Sequence, residues 1–596
     1  MSSSSLGSAH EDGAELSPID EKPYHRQNTT IRLDNNSPIS YLYLTFDTKL
    51  PLPRASEQSG RSDEKALPPC PDMKRYVSPS EWSPARKCMM LILSCIACFL
   101  TGVVAGAYSP PALIMAHDLG TSRLVVLVGI TTYCFGFASA PMVLAPMSEV
   151  WGRKPIFMAA GAVFVIFPAI CSVMTNIAGM LVCRFFQGIG TSVFSTVVGG
   201  VLADIWANHE RNTPMALFAG SALGGTGAGP LVSAALIKTL GPTTMAWKWS
   251  FWVQVILNGT TVAAFLAFFT ESRRCVILSK KAKALNQWYE KLETHGAYGL
   301  WVDRDLAMTS SASSSLTSFT LDSSDKIDAT PEGQLRRVRW VVKEDEQRAS
   351  LGRIVATSVK RPFHLLVTEP VIFCFSLWAA FSWGVLYLSF SVVPFLHGND
   401  FSMSSRVYVA MMIASTIAPC VSILQEKLLK HPQWRVHEEE FQYSESRLWA
   451  FLRTRFPAEA PESRLYFSCF TATLLPIGLF IAFMADTTGR GYTQAVGLGL
   501  AIWGIYAVYL ATFNYLADSY HIYASSALAA QSFCRNILGG VFPLVTGAMF
   551  QNLGVRGAGA VLGGIATGLT VIPWVLMFYG QRIRSKSRVA MALQKN

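Results

Sequence analysis

The chain has 596 residues, of which 51% are hydrophobic and only 15% are charged. Soluble domains carry about 25% charged residues, so this composition argues against a water-soluble protein of this length. The net charge of +11 does not indicate nucleic-acid binding, because the basic residues lie between long apolar blocks and form no basic helix. The positive-inside bias of membrane proteins accounts for them better.

The first part of the chain, residues 1–87, is polar and rich in Ser, Pro and charge. It holds no apolar signal-peptide core, and we predict a disordered N-terminal tail. Apolar blocks follow, each near the ~20 residues that a membrane-spanning helix needs. The first six predicted spans form a bundle over 88–270 and lie at 88–108, 122–145, 156–174, 178–202, 213–237 and 250–270.

A polar central loop, 271–370, follows the first six spans and includes the Ser-rich run Thr309–Ser324. The second bundle, 371–579, is predicted to contain a polar loop at 425–464, and a short tail, 580–596, ends the chain. Its six predicted spans lie at 371–396, 406–424, 465–485, 493–517, 525–550 and 556–579.

The distribution of Lys and Arg predicts that both termini face the cytosol. The short loop after span 2 carries Arg153 and Lys154, and the segment after span 12 is also basic. With this orientation the outer loops hold few basic residues, namely Arg123, Lys238, Lys248, Arg406, Arg490 and Arg556.

The loop between spans 2 and 3 carries a charged motif, Ala145-Pro-Met-Ser-Glu-Val-Trp-Gly-Arg-Lys-Pro-Ile-Phe157. Gly152 permits the tight backbone reversal, while Glu149, Arg153 and Lys154 can form ion pairs. The segment resembles the loop-2/3 signature of the major facilitator superfamily, in the version of its fungal twelve-spanner drug:proton antiporter branch, which includes polyamine and multidrug transporters. The resemblance implies a cytoplasmic latch between two halves of the protein, in which Arg153 meets Asp204. The alternative is ordinary topology-setting charge.

Span 4 carries an embedded cation in the segment Cys183-Arg-Phe-Phe-Gln-Gly. Arg184 in an apolar helix is costly unless it faces a polar interior, so it is a candidate functional residue. Gln187 lies one turn further along the same face. The pair matches the Arg-x-x-Gln-Gly motif of the same family, which the resemblance links to proton coupling. The alternative is an arginine paired only with backbone carbonyls.

Span 5 is rich in small residues, in the segment Gly220-Ser-Ala-Leu-Gly-Gly-Thr-Gly-Ala-Gly-Pro230. Small residues four apart, such as Gly225 and Gly229, let helices approach closely, and Pro230 predicts a kink. The segment is similar to the family's antiporter signature, which ends Gly-Pro-x-x-Gly-Gly, although here Ser233 and Ala234 replace the final glycines. Such packing would serve any transporter, so it favours antiport only weakly.

Further matches, at Trp247–Gln254, Arg361–Pro370 and Ala517–Ala530, extend the resemblance over nearly all the spans. It implies an all-α integral membrane protein whose twelve transmembrane helices form the two six-helix bundles of the major facilitator fold. Substrate then binds near the membrane midplane, between the bundles.

The substrate site is predicted on spans 1, 4, 7 and 10 of this fold. Aromatic walls with a few polar groups suit amphipathic organic molecules, although packing or contact with lipid would also explain aromatic residues here. No Asp or Glu lies deep in any predicted span, which disfavours polycations and favours neutral or weakly acidic substrates that Arg184 could bind. The candidates on spans 7 and 10 are Trp378, Tyr387, Trp503, Tyr506 and Asn514.

These observations predict a proton-coupled exporter of drugs or secondary metabolites that works by alternating access. Its expected partners are a small organic substrate, protons and the lipid bilayer, as a monomer in the plasma membrane or alternatively in the vacuolar membrane. A nutrient importer, either facilitator or symporter, and a non-transporting sensor remain alternatives. The sequence shows no P-loop, nucleophile motif or Cys/His metal pattern, so we expect no enzyme activity, cofactor, metal or nucleic-acid partner.

Overall fold

The structure is a computed structural model of the chain, and it falls into two compact units: residues 1–71 with 284–341, and residues 72–283 with 342–596. The residues that it describes are 35, 37–51, 68–207, 210–295, 298–302, 334–347, 350–398, 400–429, 431, 434, 451, 455–456, 461–485, 492–520 and 523–586.

The smaller unit contains a three-stranded sheet. Strand β1 (Ile39–Tyr43) pairs in parallel with β3 (Gln334–Val341), and β2 (Leu300–Val302) pairs with β3 in the antiparallel sense. The strand order is therefore β1-β3-β2. The helix Arg274–Thr294 contributes its second half to this unit.

Trp340 anchors the sheet to this helix. Its backbone N–H donates to the Asn286 side-chain oxygen at 2.8 Å, and the Asn286 amide donates back to the Trp340 carbonyl at 2.9 Å. The fully buried indole donates to the Tyr289 hydroxyl at 3.1 Å. Together these bonds satisfy the polar groups of a large buried side chain and its backbone.

The prediction of disorder over 1–87 is wrong for part of the tail. Ile39–Tyr43 is a strand, and Met73–Tyr76 and Pro79–Glu81 are short 3₁₀ helices. Leu42 and Leu44 are 1% and 2% exposed. The strand's hydrogen-bonding partner lies about 300 residues away in the chain, as the register Ile39–Arg337 shows. The composition of the tail does not reveal that a distant segment of the chain provides a partner strand.

The central segment is also more structured than the polar loop that the sequence predicted, because it contributes strands and the helices Arg274–Thr294 and Leu351–Thr368. Its Ser-rich run Thr309–Ser324 lies outside the described residues, as do most of the predicted loop 425–464 and the final residues 587–596.

The larger unit begins with six long apolar helices, which we call spans 1 to 6. We call residues 84–273, which contain these spans and the segments that connect and directly follow them, the first half. Span 1 starts after Ser83, with Pro84 in its first turn, where a missing N–H costs nothing. The six spans are Pro84–Gly106, Arg123–Trp151, Arg153–Val173, Ile177–Ile205, Asn212–Leu240 and Thr244–Phe268.

The second half begins with spans 7 to 10, and a helix of 63 residues, Ala524–Lys586, follows them. In the part of the chain that the structure describes, eleven helical stretches are long and apolar enough to cross a membrane. Spans 7 to 10 are Pro370–His397, Phe401–Leu429, Pro461–Met484 and Tyr492–Tyr520.

The last helical stretch crosses the bundle twice. A straight helix of this length would measure roughly 90 Å, about three times the hydrocarbon thickness of a bilayer. At Gly554 the backbone is non-helical, with φ 67° and ψ 172°. Beyond it, Gly559 packs against Phe483 and Gly580 packs against Glu462, so the chain runs back along span 9. Residues 524–553 and 555–586 therefore correspond to the predicted spans 11 and 12.

The core of the first half is built around phenylalanine rings. Phe157 of span 3 lies 5.5 Å from Phe194 of span 4 and 5.2 Å from Phe265 of span 6, between ring centroids. Such contacts fix the relative rotation of spans 3, 4 and 6. The rotation of span 4 decides where Arg184 points.

Candidate functional site

Arg184 lies in the middle of span 4, and its side chain is completely buried. Nη1 donates to the Gln187 side-chain oxygen at 2.8 Å, and Nε donates to the Gly129 carbonyl of span 2 at 3.3 Å. Nη2 has no hydrogen-bond partner. The expected alignment of Arg184 with Gln187 is therefore present, and one arm of the guanidinium remains unsatisfied.

Gln187 carries this polar chain on to span 6. Its side-chain nitrogen donates to the Gln254 side-chain oxygen at 3.1 Å, and all three polar side chains are buried. Gln254 closes the matched segment Trp247–Gln254, but the sequence analysis gave it no role. The sequence feature that could have identified Gln254 is an amide side chain in an apolar span, because a buried amide needs a polar partner.

Two tyrosines enclose the Arg184 guanidinium. Its central carbon lies 4.3 Å from the ring centroid of Tyr108, after span 1, and 4.5 Å from that of Tyr133, in span 2. Both are cation–π contacts, which strengthen when water is excluded. Neither tyrosine was predicted from the sequence. Tyr133 lies in a helix that is apolar all round, where helical periodicity cannot orient a residue, and Tyr108 lies beyond the end of span 1.

Arg535 of span 11 has a similar environment in the second half. Its guanidinium carbon lies 4.2 Å from the Trp383 ring centroid and 4.8 Å from that of Tyr509. The residue is 4% exposed, and its Nε has no hydrogen-bond partner. The sequence showed Arg535 within a span but did not predict its two aromatic neighbours.

The predicted aromatic residues of spans 7 and 10 occupy different environments. Tyr387 is buried, and its ring packs against Gly539 of span 11. The Tyr506 hydroxyl donates to the Ala216 carbonyl of the first half at 3.3 Å. Trp378 instead packs in a separate apolar cluster with Phe375, away from the residues that contact Arg184. The remaining two candidates, Trp503 and Asn514, are half-buried.

The charged loop between spans 2 and 3 is tied to span 4. Arg153 Nε lies 3.2 Å from an oxygen of Asp204, and Nη1 donates to the Ser148 hydroxyl at 2.7 Å. The Arg153–Asp204 pair expected from the resemblance is present, and its two side chains are 5% and 12% exposed.

Glu271, after span 6, closes the same cluster. Its carboxylate accepts from the backbone N–H groups of Arg153 at 2.9 Å and Lys154 at 3.1 Å. Gly152 has φ +100°, and a Cβ there would lie 2.5 Å from a Glu271 oxygen, so glycine is needed for both backbone and space. Lys154 enters the cluster through its backbone.

Arg273 links Glu149, the remaining acidic residue of this region, to Asp204. It lies 3.4 Å from Asp204 and 3.8 Å from Glu149. We call Glu149, Arg153, Asp204, Glu271 and Arg273 the loop-2/3 cluster. All five residues belong to the first half, so the cluster's described ion pairs join elements within one half.

Span 5 packs through its glycines on two sides. A Cβ on Gly225 would lie 1.9 Å from the Phe99 carbonyl oxygen of span 1, and one on Gly229 would lie 2.3 Å from that of Val103. Pro230 packs against Gly106, where an added Cβ would meet its ring at 2.6 Å. Gly220 faces Pro419 of span 8, in the other half. The small residues therefore permit close approach both within and between the halves.

Comparison with known proteins decides the family. The family model described as Major Facilitator Superfamily matches residues 91–543, which is most of the chain. The chain belongs to the major facilitator superfamily. The resemblance inferred from the motifs is therefore confirmed, and the protein is a multi-pass membrane transporter.

Three curated relatives of this transporter come from fungi. It is 29% identical to the MFS transporter paaT of Penicillium rubens, over 86% of this chain and 82% of the relative. It is 27% identical to the efflux pump FUB11 of Gibberella moniliformis, over 85% and 74% of the two chains. It is 25% identical to the probable drug/proton antiporter YHK8 of Saccharomyces cerevisiae, over 85% and 86%.

A solved transporter shares the fold. The xylose transporter XylE from E. coli, in a partially occluded inward-open conformation, superposes with a TM-score of 0.52. The match covers 82% of this chain and 97% of XylE at 12% identity. At this identity the comparison supports the predicted major facilitator fold and carries no information about substrate.

The described residues of this transporter hold no group of three or more His, Cys, Asp or Glu side chains suited to a metal ion. The buried polar chain around Arg184 consists instead of an arginine and two glutamines, with two tyrosine rings beside the arginine. Such a site can bind through hydrogen bonds, positive charge and aromatic surface.

Proposed function

We propose that this transporter is a proton-coupled exporter of amphipathic small organic molecules, such as drugs or secondary metabolites, working by alternating access. The observation that carries the proposal is the buried polar chain from Arg184 through Gln187 to Gln254, with its unpaired guanidinium nitrogen. Polar groups inside a membrane protein are expensive and mark substrate or ion pathways.

Direction and coupling are inferred from the relatives. One relative is named an efflux pump and another a probable drug/proton antiporter, and each aligns with about 85% of the chain. Among the described residues, acidic side chains in the spans lie only near helix ends, namely Glu149, Asp204, Glu426, Glu462 and Asp518. The described spans therefore offer no carboxylate near their middle to carry a proton, and the effect of a protonophore on transport tests the coupling.

We propose that the transporter lies in the plasma membrane. The loop-2/3 cluster and both termini are proposed to face the cytosol. Basic residues such as Arg153 and Lys154 in a short loop support this orientation. We propose that the cluster stabilises one arrangement of the helix ends during the transport cycle and so acts as a latch.

The test is transport in yeast cells that lack their own efflux pumps. Accumulation of a panel of amphipathic compounds is measured with and without a protonophore. Cells express the wild-type protein, Arg184→Gln, or Arg406→Gln at matched surface abundance. Arg406 is the matched control, because its guanidinium also stacks on a ring, that of Tyr492 at 4.5 Å, but at the start of span 8.

The proposal predicts that some compounds stay at low concentration only in cells with the wild-type or Arg406→Gln protein, and that the protonophore abolishes this effect. Higher accumulation than in empty cells would contradict export and support a nutrient importer. Export that survives the protonophore would contradict proton coupling. Unchanged accumulation of every compound would contradict drug export and support the sensor alternative.

A further inference from the structure

The two halves of the bundle each bury one arginine between two aromatic rings. Arg184 lies between Tyr108 and Tyr133 in the first half, at 4.3 and 4.5 Å from the ring centroids. Arg535 lies beside Trp383 and Tyr509 in the second half, at 4.2 and 4.8 Å.

Neither arginine has an acidic partner among the described residues, although they are only 0% and 4% exposed. Arg184 Nη2 and Arg535 Nε make no hydrogen bond. Burying an unpaired charge is costly, and cation–π contacts offset only part of that cost. Each guanidinium therefore retains capacity to bind an anion.

Both arginines flank the contact between spans 2 and 11. Cys134, next to Tyr133, would lie 3.0 Å from a Cβ on Gly540, and Thr131 donates to the Gly540 carbonyl at 2.8 Å. Gly539 is one helical turn after Arg535, and a Cβ there would lie 3.3 Å from both Trp383 and Tyr387. Span 11 thus brings the ring pair of Arg535 next to the span-2 segment that holds Tyr133.

The contact between spans 2 and 11 lies beside both ring environments. Tyr133, whose ring contacts Arg184, is next to Cys134 in span 2, and Trp383, whose ring contacts Arg535, packs against Gly539, next to Gly540 in span 11. The central region between the halves therefore carries two positive charges and, among the described residues, no compensating carboxylate. A low-dielectric region with one sign of charge selects a ligand of the opposite sign.

We propose that the substrate is an amphipathic organic anion whose ionised carboxylate is bound by Arg184 and Arg535 and whose apolar body packs on the flanking rings. This inference rests on the proposed transport function and specifies its substrate class. A guanidinium suits a carboxylate because its planar fork can donate two parallel hydrogen bonds. The rings of Tyr108, Trp383 and Tyr509 supply apolar surface beside the charges.

The test compares acids with their neutral amides, which have nearly the same shape. Purified full-length protein is titrated with benzoate and benzamide, 1-naphthylacetate and 1-naphthylacetamide, and decanoate and decanamide at pH 7.5. Binding is measured by ligand-induced thermal stabilisation and by tryptophan fluorescence. We expect at least one acid to bind about tenfold more tightly than its amide, as a charge-assisted hydrogen bond predicts.

Variants of the two arginines then test whether these residues cause the preference for acids over amides. Arg184→Gln and Arg535→Gln are each expected to reduce the acid-to-amide preference at least severalfold, and Arg406→Gln should leave it unchanged. Arg184→Lys and Arg535→Lys keep the charge and are expected to retain part of the preference. The wild-type comparison does not depend on whether any variant folds.

Three results would overturn this inference: amides binding as tightly as acids, no binding of any acid up to millimolar concentration, or an acid preference that survives both glutamine variants. Failure here is distinct from failure of the proposed function. If neutral amphipathic compounds are exported but carboxylates are not preferred, export stands and the anion site is wrong. If acids bind but no compound is moved in cells, the anion site stands and export is wrong.

Discussion

Arg153 Nε and Asp204 Oδ2 lie 3.2 Å apart, in a pair whose side chains are almost entirely buried. Removing one member of such a pair leaves the other charged and buried, which costs about 3 kcal/mol. We expect Arg153→Gln to lower the apparent melting temperature of the detergent-solubilised protein. The neighbouring Lys154→Gln should change it little, because Lys154 enters the cluster through its backbone N–H. Equal melting of the two variants would contradict the ion-pair assignment.

Gly225 of span 5 packs directly against the backbone of Phe99 in span 1, since an added Cβ would lie 1.9 Å from the Phe99 carbonyl oxygen. We expect Gly225→Ala to cost about 1–3 kcal/mol, because the two helices must separate. Gly259→Ala in span 6 is the control, since nothing lies within 4 Å of its added Cβ. Thermal unfolding in detergent measures the stability of both variants. An unchanged stability of the Gly225→Ala protein would contradict the close packing of spans 1 and 5.

Tyr108 is expected to act on Arg184 through its ring. Tyr108→Leu removes the cation–π contact and should raise the activation free energy of transport by up to about 2 kcal/mol. Tyr108→Phe keeps the ring and should raise it by less. Tyr408→Leu is the comparison, because Tyr408 is equally buried and its hydroxyl also lacks a partner. Initial rates of export in cells measure the effect. Equal losses for Phe and Leu would show that the ring is not what matters.

Glu293 gives the smaller unit a defined pH dependence. Hydrogen bonds from Arg337, joined by Arg339, lower the pKa of Glu293 from its ordinary 4.5 to about 2. Because the folded-state pKa is the lower one, the stabilisation is present above about pH 4.5 and is lost as pH falls through about 2.

Hydrogen–deuterium exchange of 334–341, corrected for intrinsic rates, measures this dependence between pH 6 and pH 2. We expect protection to fall in that window for the wild-type protein and to be low throughout for Glu293→Gln. Glu290→Gln is the control, because Glu290 is exposed on the same helix. Wild-type protection that does not change down to pH 2 would contradict the assignment.

The candidate site was only partly predictable. Arg184 and Gln187 can be identified from the sequence, because a cation and an amide in an apolar helix are costly to bury without polar partners. Their actual neighbours are Tyr108, just after span 1, Tyr133 in span 2 and Gln254 in span 6, which share no sequence pattern with them. Trp378 shows the opposite case, since it satisfied the aromatic criterion and yet packs with Phe375 in a core.

The order and lengths of the apolar segments can be predicted from the sequence, because a bilayer requires about 20 apolar residues of every crossing helix. The family can be predicted as well, because the Gly152-Arg153 turn and the Arg184–Gln187 spacing are local. Which face of each apolar helix meets polar partners becomes known only from the folded structure, since a helix that is apolar all round carries no orienting signal. The folded structure also shows that tail residues such as Leu42 join a strand of the central segment, because strand pairing depends on a partner that is distant along the chain.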